Sequence, residues 1–287
     1  MTAMSSRPES VHPRSVVRAL ALSCHPVPTV AVTAVGTGLA VLAGLSAGRV
    51  ALVGLAVLAG QLSIGWSNDR IDAARDAAVA RADKPVAAGA LPLRQVEIAA
   101  GAAVLVCVAV SLLLGPPAAV ASLLVVVCGW AYNLGLKASV LSFLPYAVAF
   151  GTLPAVATLA RPDRVLPAGW AMVAGALFGV AAHLANVLPD LAADRATGVR
   201  GFPHVLGARI CAVLAPALLF VSSAVVLFGA GRTAGWAWAA AAVLAGVAVA
   251  GAIAGYRRPT SPWLFRCLIV VVLADVALFA VSGGSLV

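Results

Sequence analysis

The run Asn68-Asp69-Arg70-Ile71-Asp72-Ala73-Ala74-Arg75-Asp76 continues through Arg81, Lys84-Pro85 and Gly89, and it directly follows a long apolar stretch. Asn68, Asp72 and Asp76 are spaced i, i+4, i+8. On a helix this places them on one slowly drifting face, with about 6 Å of rise between neighbours. The 287-residue chain has ten acidic residues, and four of them (Asp69, Asp72, Asp76 and Asp83) fall in this window. Carboxylates gathered at the edge of a hydrocarbon span are costly unless something neutralises them, so the cluster marks a candidate site.

Composition points to the same setting. Hydrophobic residues make up 62% of the chain and charged residues 10%, against about 25% charged in soluble domains. This is the composition of a polytopic, all-α integral membrane protein. Apolar stretches of about 20 residues predict nine transmembrane helices in a single bundle: roughly 27–46, 49–66, 95–114, 118–136, 140–160, 167–187, 208–228, 234–254 and 264–282. Breakers and charges separate them, among them Gly115-Pro116-Pro117 and Arg257-Arg258-Pro259. Residues 1–22 read as a polar tail ending in a possible interfacial helix, and residues 23–287 as one membrane domain. The five cysteines are scattered without CxxC spacing and read as small buried hydrophobes.

The net charge of +9 has a topological explanation before a nucleic acid is needed as partner. With the N-terminus in the cytoplasm, fifteen Lys/Arg residues fall on the inner side and four (Arg49, Arg161, Arg164, Arg232) on the outer side. The expected location is the plasma membrane, with both long loops cytoplasmic.

Those two loops repeat one another. Asn68-x3-Asp72-x3-Asp76-x8-Pro85-x3-Gly89 recurs as Asn186-x3-Asp190-x3-Asp194-x8-Pro203-x3-Gly207, each position offset by 118 residues. The chain has three asparagines, and two of them head these motifs. An internal duplication accounts for this, with spans 1–4 matching spans 5–8. Each half then contributes one Asn/Asp face to a site at the repeat interface.

Four carboxylates on facing helix ends repel one another. Mg²⁺ resolves that conflict, because it takes hard oxygen ligands, commonly one or two carboxylates plus phosphate and water. Asp72, Asp76, Asp190 and Asp194, with the amides of Asn68 and Asn186, suit Mg²⁺ bridging to a diphosphate. Arg81, Lys84, Lys137, Arg195 and Arg200 are candidates for the remaining phosphate oxygens. Metal and cations together stabilise a departing pyrophosphate, and the apolar walls suit a hydrocarbon tail. A lipid diphosphate is the substrate class this chemistry and the bilayer predict, with membrane lipids around it.

These residues resemble the UbiA-type membrane prenyltransferases. Asn68-Asp69-x2-Asp72-x3-Asp76 is similar to that family's first aspartate-rich motif, which adds Asp69 to the candidate metal ligands. Arg81-Ala-Asp-Lys84-Pro85 resembles its Arg/Pro-rich extension, with Lys84 where Arg is common. Asn186-x3-Asp190-x3-Asp194 resembles the second motif. Tyr132-Asn133-x3-Lys137 is similar to the Tyr-x4-Lys element, which implies diphosphate contacts from Tyr132 and Lys137. The resemblance covers almost the whole chain. It implies Mg²⁺-dependent prenyl transfer to a lipophilic, aromatic or quinone-precursor-like acceptor, with Asp72, Asp76, Asp190, Asp194 and Lys137 catalytic. Two alternatives stay open: a UbiA-type terpene cyclase, and a non-catalytic isoprenoid binder or transporter.

Blander readings stand beside these. Asp and Asn at helix ends are often only caps, although duplication of the whole set weighs against that here. Arg70 and Arg75 point off the Asn68/Asp72/Asp76 face, toward headgroups or solvent. His183 reads as an interhelical hydrogen-bonding residue ahead of a cavity residue. Asp275 reads as structural or neutral, with acceptor orientation or proton removal as the alternative. His25 is open. No P-loop, HExxH or GxSxG pattern occurs, so nucleotide-driven and hydrolytic chemistries have no local support.

Overall fold

The computed structural model describes residues 13–81, 84–229, 235–281 and 285–287. Residues 1–12 of the expected tail, together with Asp83 and Arg232, lie outside them. The described elements are helices. The chain opens with α1 (Pro13–Ser23), which turns by 65° into α2 (Pro26–Leu42). It continues through α3 (Ala47–Ala78), α4 (Leu93–Leu113), α5 (Pro116–Leu134), a 3₁₀ turn at Leu136–Ala138, and α6 (Leu144–Leu159). The second part runs through α7 (Gly169–Val187), α8 (Leu191–Ala196), α9 (Phe202–Leu206), α10 (Ala208–Gly229), α11 (Gly235–Arg257) and α12 (Trp263–Val281).

The nine apolar stretches each fall on a helix. Among the described residues six helices, α3, α4, α5, α7, α10 and α11, are long and apolar enough to span a membrane alone, and the bent α1–α2 pair makes a seventh if it counts as one span. α2 has 17 residues and α6 has 16, below the ~20 that an untilted span requires. The protein is therefore an all-helical, multi-pass membrane protein by composition. Its outer surface agrees, because Leu105, Val120, Val127 and Val243 are among many large apolar side chains left exposed.

Buried apolar side chains gather on either side of the bundle. One cluster joins α2, α3, α5 and α6 through residues such as Val35, Val53, Ala121 and Val156. Another joins α7, α10 and α12 through Ala181, Leu184, Ala215 and Leu268. α1 is pinned separately: Ala19 is buried with Leu91 and Val96, and Trp66 Nε1 donates to the Leu20 carbonyl at 2.9 Å. The α1–α2 break presses on α3 at Gly65, where a Cβ would lie 2.3 Å from the Cys24 carbonyl oxygen, so only glycine fits. His25, at that break, takes the left-handed conformation (φ 55°), uncommon for a residue with a Cβ.

α3 sets the position of the site. Its 32 residues make a helix about 48 Å long, well beyond a hydrocarbon core of about 30 Å. The helix thus carries Asn68, Asp72 and Asp76 past the apolar stretch without a break. α7 cannot do the same. The position matching Ile71 is Pro189, which has no N–H to donate and whose ring clashes with the carbonyl four residues back. α7 ends at Val187, Asp190 N bonds to the Val187 carbonyl at 3.0 Å in a tight turn, and α8 starts afresh.

Candidate active site

A cavity of about 250 Å³ lies between the two halves of the bundle. Its polar end is lined by Asn68, Asp72 and Asp76 of α3, and by Asn186, Asp190 and Asp194 of the second motif. Four cations line the same end: Arg75, Arg81, Lys84 and Lys137. The other end is apolar, with Val32, Val35, Phe150, Leu153 and Phe178 among its walls. The two motifs, 118 residues apart in sequence, thus share one chamber with an ionic mouth and a greasy interior.

Asp72 is the most heavily engaged acid at the mouth. It is 5% exposed, and its Oδ1 accepts from Lys137 Nζ. Its Oδ2 meets Arg75 Nη2 at 2.7 Å and accepts from Asn68 Nδ2 at 3.2 Å. Arg75 is a correction to the sequence expectation. Residues three apart on a helix are neighbours, and the long guanidinium reaches round to Asp72 and the cavity wall; Arg70 does leave the face, to pair with Glu97. Burial holds the Lys137 ammonium below its ordinary value despite the opposing pull of Asp72.

Asp69 lies differently. It is 2% exposed and does not line the cavity. Its Oδ1 accepts from Lys84 Nζ at 2.6 Å and sits 3.3 Å from His25 Nε2, while Oδ2 has no hydrogen-bond partner among the described residues. Lys84 also reaches His25 Nε2 at 3.2 Å and lies 3.9 Å from Asp76. His25, unassigned from sequence, thereby joins the mouth, with its Nε2 3.2 Å from Asn68 Oδ1.

The third asparagine of the chain belongs here too. Asn133, 3% exposed, accepts from Asn68 Nδ2 at 3.2 Å and donates to Ser67 Oγ at 2.8 Å and to the Ile64 carbonyl at 2.9 Å. It fixes the Asn68 amide. The scarcity of asparagine was the sequence signal that could have found it.

In the second motif, Arg81 Nη1 donates to Asp190 Oδ1 at 2.9 Å, an ion pair that ties the two loops together. Asn186 Nδ2 donates to the Tyr146 hydroxyl at 3.5 Å. Among the described residues Asp194 has no side-chain partner closer than His204 Nε2, at 4.0 Å. Burial, with Asp190 and Asp72 nearby, pushes its carboxyl up to about 6 against the pull of Arg75 and Lys137. His204 Nδ1 accepts from Gly201 N at 3.1 Å, which turns the protonated Nε2 of a neutral ring toward Asp194. Burial and Arg195 both lower the His204 value, favouring that neutral form.

Tyr132 lines the cavity, edge-on to Tyr146 at 5.2 Å. Arg195 and Arg200 do not line it; both are exposed, and Arg195 donates to the His204 carbonyl at 3.2 Å. His183 is buried and links α7 to the turn before α6, its Nε2 3.0 Å from Ser142 Oγ, rather than to another helix as expected. Asp275 likewise accepts from Ser223 Oγ, away from the cavity.

Could this mouth hold Mg²⁺? Among the described residues no three Asp, Glu, His or Cys side chains converge into a ready-made cage. Mg²⁺ rarely uses such cages, preferring one or two carboxylates with phosphate and water. The donors are hard oxygens, and Asp194 is a half-buried acid among acids with no Lys or Arg within ion-pair distance among the described residues. The donor set fits.

The fold is thus a multi-pass helical bundle enclosing a chamber with an acid- and base-lined mouth and an apolar interior. The chain belongs to the UbiA prenyltransferase family, whose model matches residues 29–275. Solved structures share the fold. A UbiA homologue from Archaeoglobus fulgidus bound to GPP and Mg²⁺ is 14% identical, covering 92% of this chain and 99% of that one, with a TM-score of 0.70. The same organism's homologue bound to DMAPP and Mg²⁺ is 15% identical over 92% and 97%, with a TM-score of 0.67. The apo UbiA homologue from Aeropyrum pernix K1 is 20% identical over 88% and 98%, with a TM-score of 0.70. No curated protein matches the sequence.

Proposed function

We propose that the protein transfers a prenyl group from a prenyl diphosphate to a lipophilic, aromatic acceptor of quinone-precursor type, releasing pyrophosphate in a Mg²⁺-dependent reaction. One observation carries this: two acidic motifs and four cations share the mouth of a chamber whose interior is apolar. The Archaeoglobus relatives bound to GPP or DMAPP with Mg²⁺ support it.

Asn68, Asp72, Asp76, Asn186, Asp190 and Asp194 hold the metal in this reading. Mg²⁺ so held supplies positive charge to the departing diphosphate. Lys137 and Arg75, already at Asp72, and Arg81, at Asp190, stand ready to donate to phosphate oxygens as charge develops there. Asp69 fixes Lys84 from behind the wall, and Tyr132 contributes from the cavity side. As the allylic C–O bond breaks, Val32, Val35, Phe150 and Phe178 keep water from the allylic cation, and the aromatic faces favour its charge. The acceptor carbon then attacks and loses its proton.

The wider arrangement follows the same reading. The bundle crosses the plasma membrane nine times, with residues 1–22 and both motif loops cytoplasmic, supported by the Lys/Arg asymmetry. Residues 23–287 form one domain built from a duplicated four-span unit. Two features favour the duplication: Gly89 and Gly207, 118 residues apart, both take positive φ (73° and 84°), and α3 packs on α2 and α4 as α7 packs on α6 and α10.

Membranes containing the protein, given a prenyl diphosphate and a lipid extract, release pyrophosphate and form a prenylated lipid only when Mg²⁺ is present. Pyrophosphate with a cyclic hydrocarbon, and no need for acceptor, marks a cyclase. No pyrophosphate under any condition marks a binder or transporter.

A further inference from the structure

At its apolar end the main chamber stops against a thin partition. Beyond it lies a second, very small cavity of about 10 Å³, roughly the space one water probe occupies. Gln61, Val125 and Leu153 line both spaces. The small residues Ala56, Gly60 and Ser122 stand on the far side. The three shared residues come from α3, α5 and α6, and each is the deepest residue its helix places in the main chamber's lining.

Gln61 is the unusual member. It lies seven residues before Asn68 on α3, two turns or about 10 Å into the bundle from the ionic mouth. Among the described residues its carboxamide makes no hydrogen bond. A hydrocarbon tail anchored at the mouth and growing inward meets this carboxamide with the bulk of Leu153 and Val125 beside it. Covering an unpaired amide with hydrocarbon costs free energy, and the aliphatic pair blocks the way further.

We propose that Gln61, Val125 and Leu153 form the floor that sets the longest prenyl tail the protein accepts. This deepens the prenyl-diphosphate reading and rests on it. Leu153→Ala removes the largest aliphatic part of the floor and opens the chamber into the small cavity. Gln61→Leu keeps the bulk and removes the polar barrier.

The test is Mg²⁺-dependent binding of prenyl diphosphates of one to four isoprene units to the purified full-length protein, by calorimetry, which needs no acceptor. In the wild type, affinity rises with length to a limit and then falls. In Leu153→Ala the limit moves out by one unit, and the first donor beyond the wild-type limit gains at least ~10-fold, the effect of burying about two of its carbons. Gln61→Leu strengthens the longest accepted donor by about 10-fold, through loss of the polar barrier. Val125→Ala serves in place of Leu153→Ala if that variant does not fold. An unchanged length profile in the opened and Gln61→Leu variants overturns the floor while leaving the donor reading intact. Failure of every donor to bind the wild type with Mg²⁺ overturns the donor reading and the floor with it.

Discussion

In the first half of the site, Asn68, Asp72 and Asp76 ride on α3 without interruption as far as Ala78. In the second, Asn186 closes α7, while Asp190 caps and Asp194 belongs to the separate six-residue α8. The motif residues match at every position, but Ile71 in one half faces Pro189 in the other. The continuous helix holds its acids rigid and buried: the Asp72 side chain is 7% exposed, its counterpart Asp190 44%. The first half therefore reads as the fixed wall of the site. The second is the part with room to adjust around a ligand, and the Arg81–Asp190 pair ties it to the first.

The largest expected effect comes from Asp72→Ala. It removes a proposed metal ligand and the partner of Lys137 and Arg75, so turnover falls by about 10³-fold. Leaving a buried ammonium uncompensated costs about 3–5 kcal/mol, and thermal unfolding in detergent measures it. Adding Lys137→Met recovers the stability without recovering turnover. Loss of activity with no change in stability would contradict the account of Asp72 as a buried ion pair.

Exchanging the helix breakers comes next. Ile71→Pro interrupts α3 mid-course, costs about 3 kcal/mol or more, and reduces the yield of folded protein. Pro189→Ile lets α7 continue and swings Asp190 and Asp194 off the mouth. We expect a roughly 100-fold loss of turnover, of oxyanion-site size, in a protein that still folds. Full activity in Pro189→Ile would mean that the break has no role in placing the second motif.

A smaller effect separates the halves by pH. Asp194, raised to about 6, is protonated below that value, and a cation must then displace the proton. The Mg²⁺ concentration for half-maximal turnover should stay level above pH 7 and rise as pH falls through 6, by up to about tenfold per unit. Asp194→Asn should bind Mg²⁺ less well but lose most of that slope. The smallest effect is at Arg195 and Arg200. Both are exposed and off the cavity, so alanine at either should change turnover less than about threefold, in line with other surface charges.

Much of this was legible in the sequence, and the limits have physical causes. The i, i+4, i+8 spacing read the α3 face correctly because α3 is an uninterrupted helix. The same spacing at 186–194 misdescribes the backbone, since Pro189 ends the helix, although its side chains still reach the mouth. The spacing sends Arg75 toward headgroups or solvent and misses its contact with Asp72, because helical position fixes where a Cβ points, not where a long side chain ends. His25 and Asn133 depend on contacts 43 and 65 residues away in sequence, which no local pattern encodes. The nine apolar stretches each fall on a helix, and among the described residues six of these helices, or seven spans with the bent α1–α2 pair, are long and apolar enough to cross a membrane, since α6 has only 16 residues.

The central claim is that both halves make one Mg²⁺–diphosphate site. Mg²⁺-dependent binding of a prenyl diphosphate, measured side by side for the wild type, Asp72→Ala and Asp190→Ala, tests it directly. The account predicts that binding in the wild type requires Mg²⁺ and that either single substitution abolishes the Mg²⁺ dependence. Wild-type, Mg²⁺-dependent binding in Asp190→Ala alongside its loss in Asp72→Ala would assign the site to one half alone and contradict it.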